Sequence, residues 1–130
     1  MPVEELRRSP MMAHLLDTLA QGHRIGHYGR LVFAIVGRYF LTEDELIACL
    51  ANDPGLTVEE ARALYLQVVT HDYSPPTREK VLAWQRHQAF PICPTPEDPS
   101  ACNVYRELEF PEGVYAHIEE FYEDKARSRK

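Results

Sequence analysis

Apolar positions along this chain recur with the period of a helix and nowhere alternate convincingly as a strand would. Met12, Leu15, Leu16 and Leu19 stand at i, i+3, i+4 and i+7. They predict a helix over about Pro10–Ala20, closed by Gln21-Gly22. Leu31, Val32, Ile35, Val36, Tyr39 and Phe40 form a broad apolar face and predict a second helix over about His27–Leu41. Thr42-x-x-Glu45 and Thr57-x-x-Glu60 have the form of capping boxes, in which threonine and glutamate satisfy backbone amides at a helix start. They open a third helix, ending near Asn52-Asp53-Pro54-Gly55, and a fourth that reaches about Val69 with Leu64, Tyr65 and Val68 inward. Ser74-Pro75-Pro76 interrupts the chain, since proline lacks the amide donor and restrains its predecessor. A fifth helix, Thr77–Gln88, carries Val81 and Trp84.

Ala89–Pro111 reads as one long irregular segment with Pro91, Pro94, Pro96 and Pro99 inside it. Loops of that length tend to be functional or specially anchored. A last helix, Glu112–Lys125, puts Val114, Ile118, Phe121 and Tyr122 on one side. His117 and the acids Glu119, Glu120, Glu123 and Asp124 make its solvated face. The expected fold is therefore mostly α: a compact multi-helix domain with a long Pro-rich loop before the last helix. Residues 1–8 are a lead-in, 9–125 a single domain and 126–130 a frayed basic tail.

Composition sharpens this picture. A length of 130 residues, 45% apolar and 26% charged, suits one globular domain and disfavours disorder or a coiled coil. The longest apolar stretch, Leu31–Val36, is far short of a membrane helix, so no membrane is expected as partner. The N-terminus has acids beside its arginines and no apolar core, unlike a secretory signal. Three cysteines, an odd number, argue against a disulfide framework and for a reduced, cytoplasmic setting. A net charge of −6 weighs against indiscriminate nucleic-acid binding but leaves room for a local basic site.

Such a site stands between His23 and Arg38. No acidic residue interrupts the chain from Asp17 to Glu43. On the second helix, His27, Arg30, Ala34 and Arg38 follow i, i+3, i+7 and i+11 spacing and share one stripe. A helix N-terminus offers free amides and partial positive charge to an anion, and arginines can add bidentate bonds to phosphate. Gly26 and Gly29 would let a ligand or another backbone come close. The alternative is a solvated face carrying an ion pair or two.

Elsewhere the chemistry is sparse. Cys93 and Cys102 with nearby His87 are an incomplete set, because zinc or an iron–sulfur cluster needs about four ligands. The two cysteines read as loop-packing thiols and remain the residual ligand candidates, while Cys49 reads as core. His14 reads as surface or rim. Walker, GxSxG, HExxH and GxGxxG motifs are all missing, so no catalytic residue is assigned and an enzymatic role is unsupported by the residues.

An ordered series of short segments resembles the C-terminal domain of the large subunit of archaeal and eukaryotic DNA primases, from about Ser9 to about Tyr115. The segments are Ser9-Pro10-Met11-Met12, His27-Tyr28-Gly29-Arg30 with Arg38 further along, Leu41-Thr42-Glu43-Asp44-Glu45-Leu46, and Tyr73-Ser74-Pro75-Pro76-Thr77. Cys93 and Cys102 with Phe110-Pro111 and Tyr115 complete the series. The resemblance implies a helical domain that normally holds a 4Fe–4S cluster on four cysteines and helps a catalytic subunit start a primer. It implies that His23, Arg24, His27, Arg30 and Arg38 serve nucleotide or phosphate binding and that Tyr28 stacks on a base or ribose. The implied partners are a catalytic primase or primase–polymerase subunit, single-stranded DNA or RNA, and a nucleoside triphosphate.

The chain departs from that pattern at two cysteine positions, which read Met11 or its neighbour and Thr77 or Arg78. Two thiolates do not hold a four-iron cluster, so no cofactor is expected. Apolar packing around Met11, Met12, Trp84, Phe90 and Ile92 is expected to replace its cross-link. The rival expectation is a protein–protein interaction module that keeps the fold without nucleotide binding. A zinc or cluster site on Cys93, Cys102, His87 and one further ligand is a third.

Overall fold

Ser9 has no exposed surface, and from that position it starts the first long helix. Its Oγ accepts the Met12 amide at 3.3 Å, and Pro10 follows where its missing amide costs nothing. The computed structural model describes residues 2–115. Within them, α1 (Pro2–Leu6) precedes α2 (Pro10–Ala20), so the segment expected as a lead-in is itself partly helical and buries Leu6. The α2 helix has the predicted bounds and buries Met11, Met12, Leu15, Leu16 and Leu19. It ends in a Schellman motif: Gly22 at φ +73 donates to the Leu19 carbonyl at 2.9 Å, and His23 to that of Thr18 at 3.1 Å.

The α3 helix (Gly26–Gly37) is the centre of the domain and packs against α2 and against α4 (Glu43–Leu50), α5 (Val58–His71) and α6 (Arg78–Gln85). Its run from Val32 to Val36 is buried all round, which is why this stretch is continuously apolar rather than striped. Both capping boxes are present: Thr42 and Glu45 open α4, and Thr57 and Glu60 open α5. Thr77 caps α6, which stops at Gln85, and α3 tightens into turns from Arg38 to Leu41. Among the described residues there is no strand and the molecule is a compact helical domain.

The long Pro-rich segment contains one unpredicted short helix, α7 (Val104–Glu107). The segment also corrects the reading of its two cysteines as free thiols or residual metal ligands. Cys93 and Cys102 form a disulfide, with S–S 1.99 Å and Cα atoms 5.8 Å apart, both side chains buried. The odd cysteine count is accounted for by Cys49, which stays free and half-buried. Met11, Met12 and Ile92 are buried as expected, whereas Trp84 and Phe90 are only partly covered, Phe90 by the stacked ring of His14. Residues 112–115 are helical. The remainder of the expected last helix, with its acidic face, and the 126–130 tail lie outside the described residues.

Candidate nucleic-acid interface

The start of α3 is fastened from two directions. Asp53, in the connector between α4 and α5, has no exposed surface. Its carboxylate accepts the Ile25 amide at 3.1 Å, Arg30 Nε at 2.9 Å and Nη2 at 3.1 Å, and the Gly55 amide at 2.8 Å. Burial alone would raise the Asp53 carboxyl. The Arg30 guanidinium and the two amides outweigh burial and hold it below its usual value. From the other side, Gln88 Oε1 accepts the Tyr28 amide at 2.8 Å, while its Nε2 donates to the carbonyls of Ile25 at 2.9 Å and Phe90 at 3.0 Å. Gly26 makes room for this: it sits at φ +78, and a Cβ there would lie 2.6 Å from the Gln88 amide group. The anion attracted by this helix start is thus a carboxylate of the chain itself, and the close approach is made by its own glutamine.

Arg38 is similarly occupied. Its Nη2 donates to Asp72 Oδ1 and to the Tyr39 hydroxyl, both at 2.7 Å, and to the Tyr73 carbonyl at 2.9 Å. The guanidinium also lies 4.5 Å from the Tyr39 ring centroid, and only 11% of the side chain is exposed. Burial raises the Tyr39 hydroxyl above its usual value, aided by Asp72 and opposed by Arg38. The stripe of Arg30, Ala34 and Arg38 is therefore the seam along which α5 lies. Arg30 holds the connector leading into α5, and Arg38 holds Asp72 at its end, so α3 and α5 run in the same sense. Ala34 between them is fully buried, which leaves room for α5 to approach.

The remaining residues of the strip do face solvent. His23, Arg24 and His27 are exposed, and Tyr28 is half-buried. The Tyr28 ring stacks on Trp84 with centroids 5.6 Å apart and 21° between planes. His27 meets Tyr28 edge-on at 5.1 Å, His87 lies at 6.3 Å, and Lys80 Nζ is 5.6 Å from the Trp84 ring. The structure thus brings two of the predicted site residues, His27 and Tyr28, to a partly exposed edge beside α6. His23 is exposed ahead of α3, and Arg24 lies towards the α4–α5 connector, its Nε 3.6 Å from where a Cβ on Gly55 would sit. It takes Arg30 and Arg38 into the interior seam. Lys80, Trp84, His87 and Gln88 were not foreseen there. Lys80, Trp84 and His87 share a face at i, i+4 and i+7, but only the tertiary fold shows that this face meets Tyr28.

Among the described residues, no three His, Cys, Asp or Glu side chains are grouped to hold a metal ion, and no helix is long and apolar enough to cross a membrane. No protein-family model, curated protein or solved structure matches this chain.

Proposed function

We propose that this chain is a non-catalytic accessory domain for primer synthesis, which presents single-stranded nucleic acid to a catalytic primase or primase–polymerase subunit. The observation that carries the reading is the half-exposed Tyr28–Trp84 stack with His27, His87 and Lys80 around it. Aromatic rings beside a cation, Lys80, suit unpaired bases, which stack irrespective of sequence while the cation takes the backbone. The ordered resemblance of Ser9–Tyr115 to the primase domain supports the biological setting. Of the two implied ligands, the strand is favoured over the triphosphate. The Ile25 and Tyr28 amides and the Arg30 fork, which a triphosphate would use, are held by Asp53 and Gln88. The reading includes no bound cofactor and a cytoplasmic location.

Trp84 is the only tryptophan, so its emission tests the reading directly. Titration with oligothymidylate should quench it, more weakly as salt rises, and duplex of the same length should act less. An unchanged emission with no strand binding would overturn the proposal. The interaction-module alternative is favoured by one feature, the exposed apolar side chains Val58, Leu66 and Val69 along α5. Retention of a protein partner with no affinity for single strands would select it.

A further inference from the structure

The disulfide and the aromatic edge lie at two ends of one connected turn. Trp84 and Gln85 close α6, and Gln85 Oε1 accepts the Cys93 amide at 2.8 Å. Between them, Gln88 ties the Phe90 carbonyl to Ile25 and Tyr28 at the start of α3. Cys93 is thus bonded to the residue next to Trp84, and the intervening turn is bonded to Tyr28 itself. Its disulfide partner Cys102 holds φ +63, a left-handed backbone that is unfavourable for a residue with a Cβ, so the segment favours another conformation there once untied. Residues 94–100 between the cysteines are exposed along their whole length and are held by Arg78, which donates to the Pro96 and Asp98 carbonyls. Moving this exposed segment requires little loss of buried surface.

We infer that Cys93 and Cys102 form a thiol–disulfide switch on the nucleic-acid edge, strand binding being strong when they are joined and weak when they are reduced. This rests on the strand-binding reading above. In a reducing compartment, disulfides that do form are mostly catalytic or redox-sensing, which suits a pair set beside a binding surface. The step needs a dithiol reductant. One of its thiolates attacks a protein sulfur, giving a mixed disulfide and releasing the other cysteine, which takes up a proton. The second thiol of the reductant then displaces the remaining cysteine. The protein gains two electrons and two protons in total, and the reductant leaves as its own disulfide.

The test uses the full chain, air-oxidised or treated with dithiothreitol under native conditions, with titratable thiols counted in each state. Dye-labelled oligothymidylate reports strand affinity, and Trp84 emission without any strand reports the turn. Reduction should raise the titratable thiols from Cys49 alone to all three cysteines and shift Trp84 emission. It should weaken strand binding about fivefold or more, the loss of about one base stack. The C93S/C102S double variant should match the reduced form and ignore dithiothreitol. Equal emission and equal affinity in the two states would overturn the switch, as would a disulfide that native-state dithiothreitol leaves intact. If the oxidised form binds no strand, the proposed function fails. The emission shift alone then decides whether the disulfide governs the turn, and its absence ends that inference as well.

Discussion

Arg30 grips Asp53 through Nε and Nη2 at 2.9 and 3.1 Å, and the carboxylate it holds has no exposed surface. A residue that the sequence offers as a phosphate ligand thereby neutralises a buried acid 23 residues further along the chain. This pair closes the start of α3 against the connector to α5.

Removing one partner leaves the other charge buried. Arg30→Ala should therefore cost about 3–5 kcal/mol in denaturant unfolding, and Asp53→Ala a similar amount. The pair also carries a pH signature. The Asp53 carboxyl is held below its usual value near 3.8, so its stabilisation is complete above that pH and lost as pH falls through the lower folded value. Asp53→Asn should remove that part of the acid transition. Wild-type-like stability of Arg30→Ala would contradict the role given to the pair.

Arg38 makes its three bonds from a largely buried guanidinium. Arg38→Ala should lower stability by about 2–4 kcal/mol, and Arg38→Lys should recover only part, because an ammonium cannot present the same planar fork. Strand affinity per folded molecule should stay unchanged. A variant that folds normally and binds strands poorly would return Arg38 to the binding surface.

Glu107 reverses the pH sign. Burial raises its carboxyl above the usual value of 4.5, only partly offset by the hydrogen bond that Ser9 Oγ donates to it at 3.2 Å. Its contribution to stability is complete below pH 4.5 and fades as pH rises through the higher folded value. Glu107→Gln keeps an acceptor for Ser9 and removes the buried charge. Thermal unfolding of this variant should be at least as stable as wild type at neutral pH and flatter above pH 4.5. A variant less stable than wild type at pH 7 would contradict the assignment.

Local chemistry was legible in the chain and long-range pairing was not. Ser9-Pro10, Thr42 with Glu45, Thr57 with Glu60, and Thr77 mark helix starts through bonds spanning three residues, so their signals lie within the windows that reveal them. The fasteners of α3 act over much greater separations, 28 residues for Asp53 with Ile25 and 60 for Gln88 with Tyr28. A helical wheel places Arg30, Ala34 and Arg38 on one face, but it does not show that α5 lies on that face. The disulfide escaped for a different reason: Cys93 and Cys102 are only nine residues apart, but an odd count of three cysteines argues against pairing until the fold shows Cys49 set apart from them. The α3 half of the site was readable from His27-Tyr28, whereas its α6 half required the fold.

The central claim is that unpaired bases stack on the edge formed by Tyr28 and Trp84. Its most direct measurement is the anisotropy of labelled oligothymidylate titrated with the oxidised protein and with Tyr28→Ala, both first shown to be folded by circular dichroism. Saturable binding by the wild type and a loss of about tenfold in the variant, of the size of one base stack, is the predicted result. Equal affinity in both proteins, or no binding by either, would contradict it.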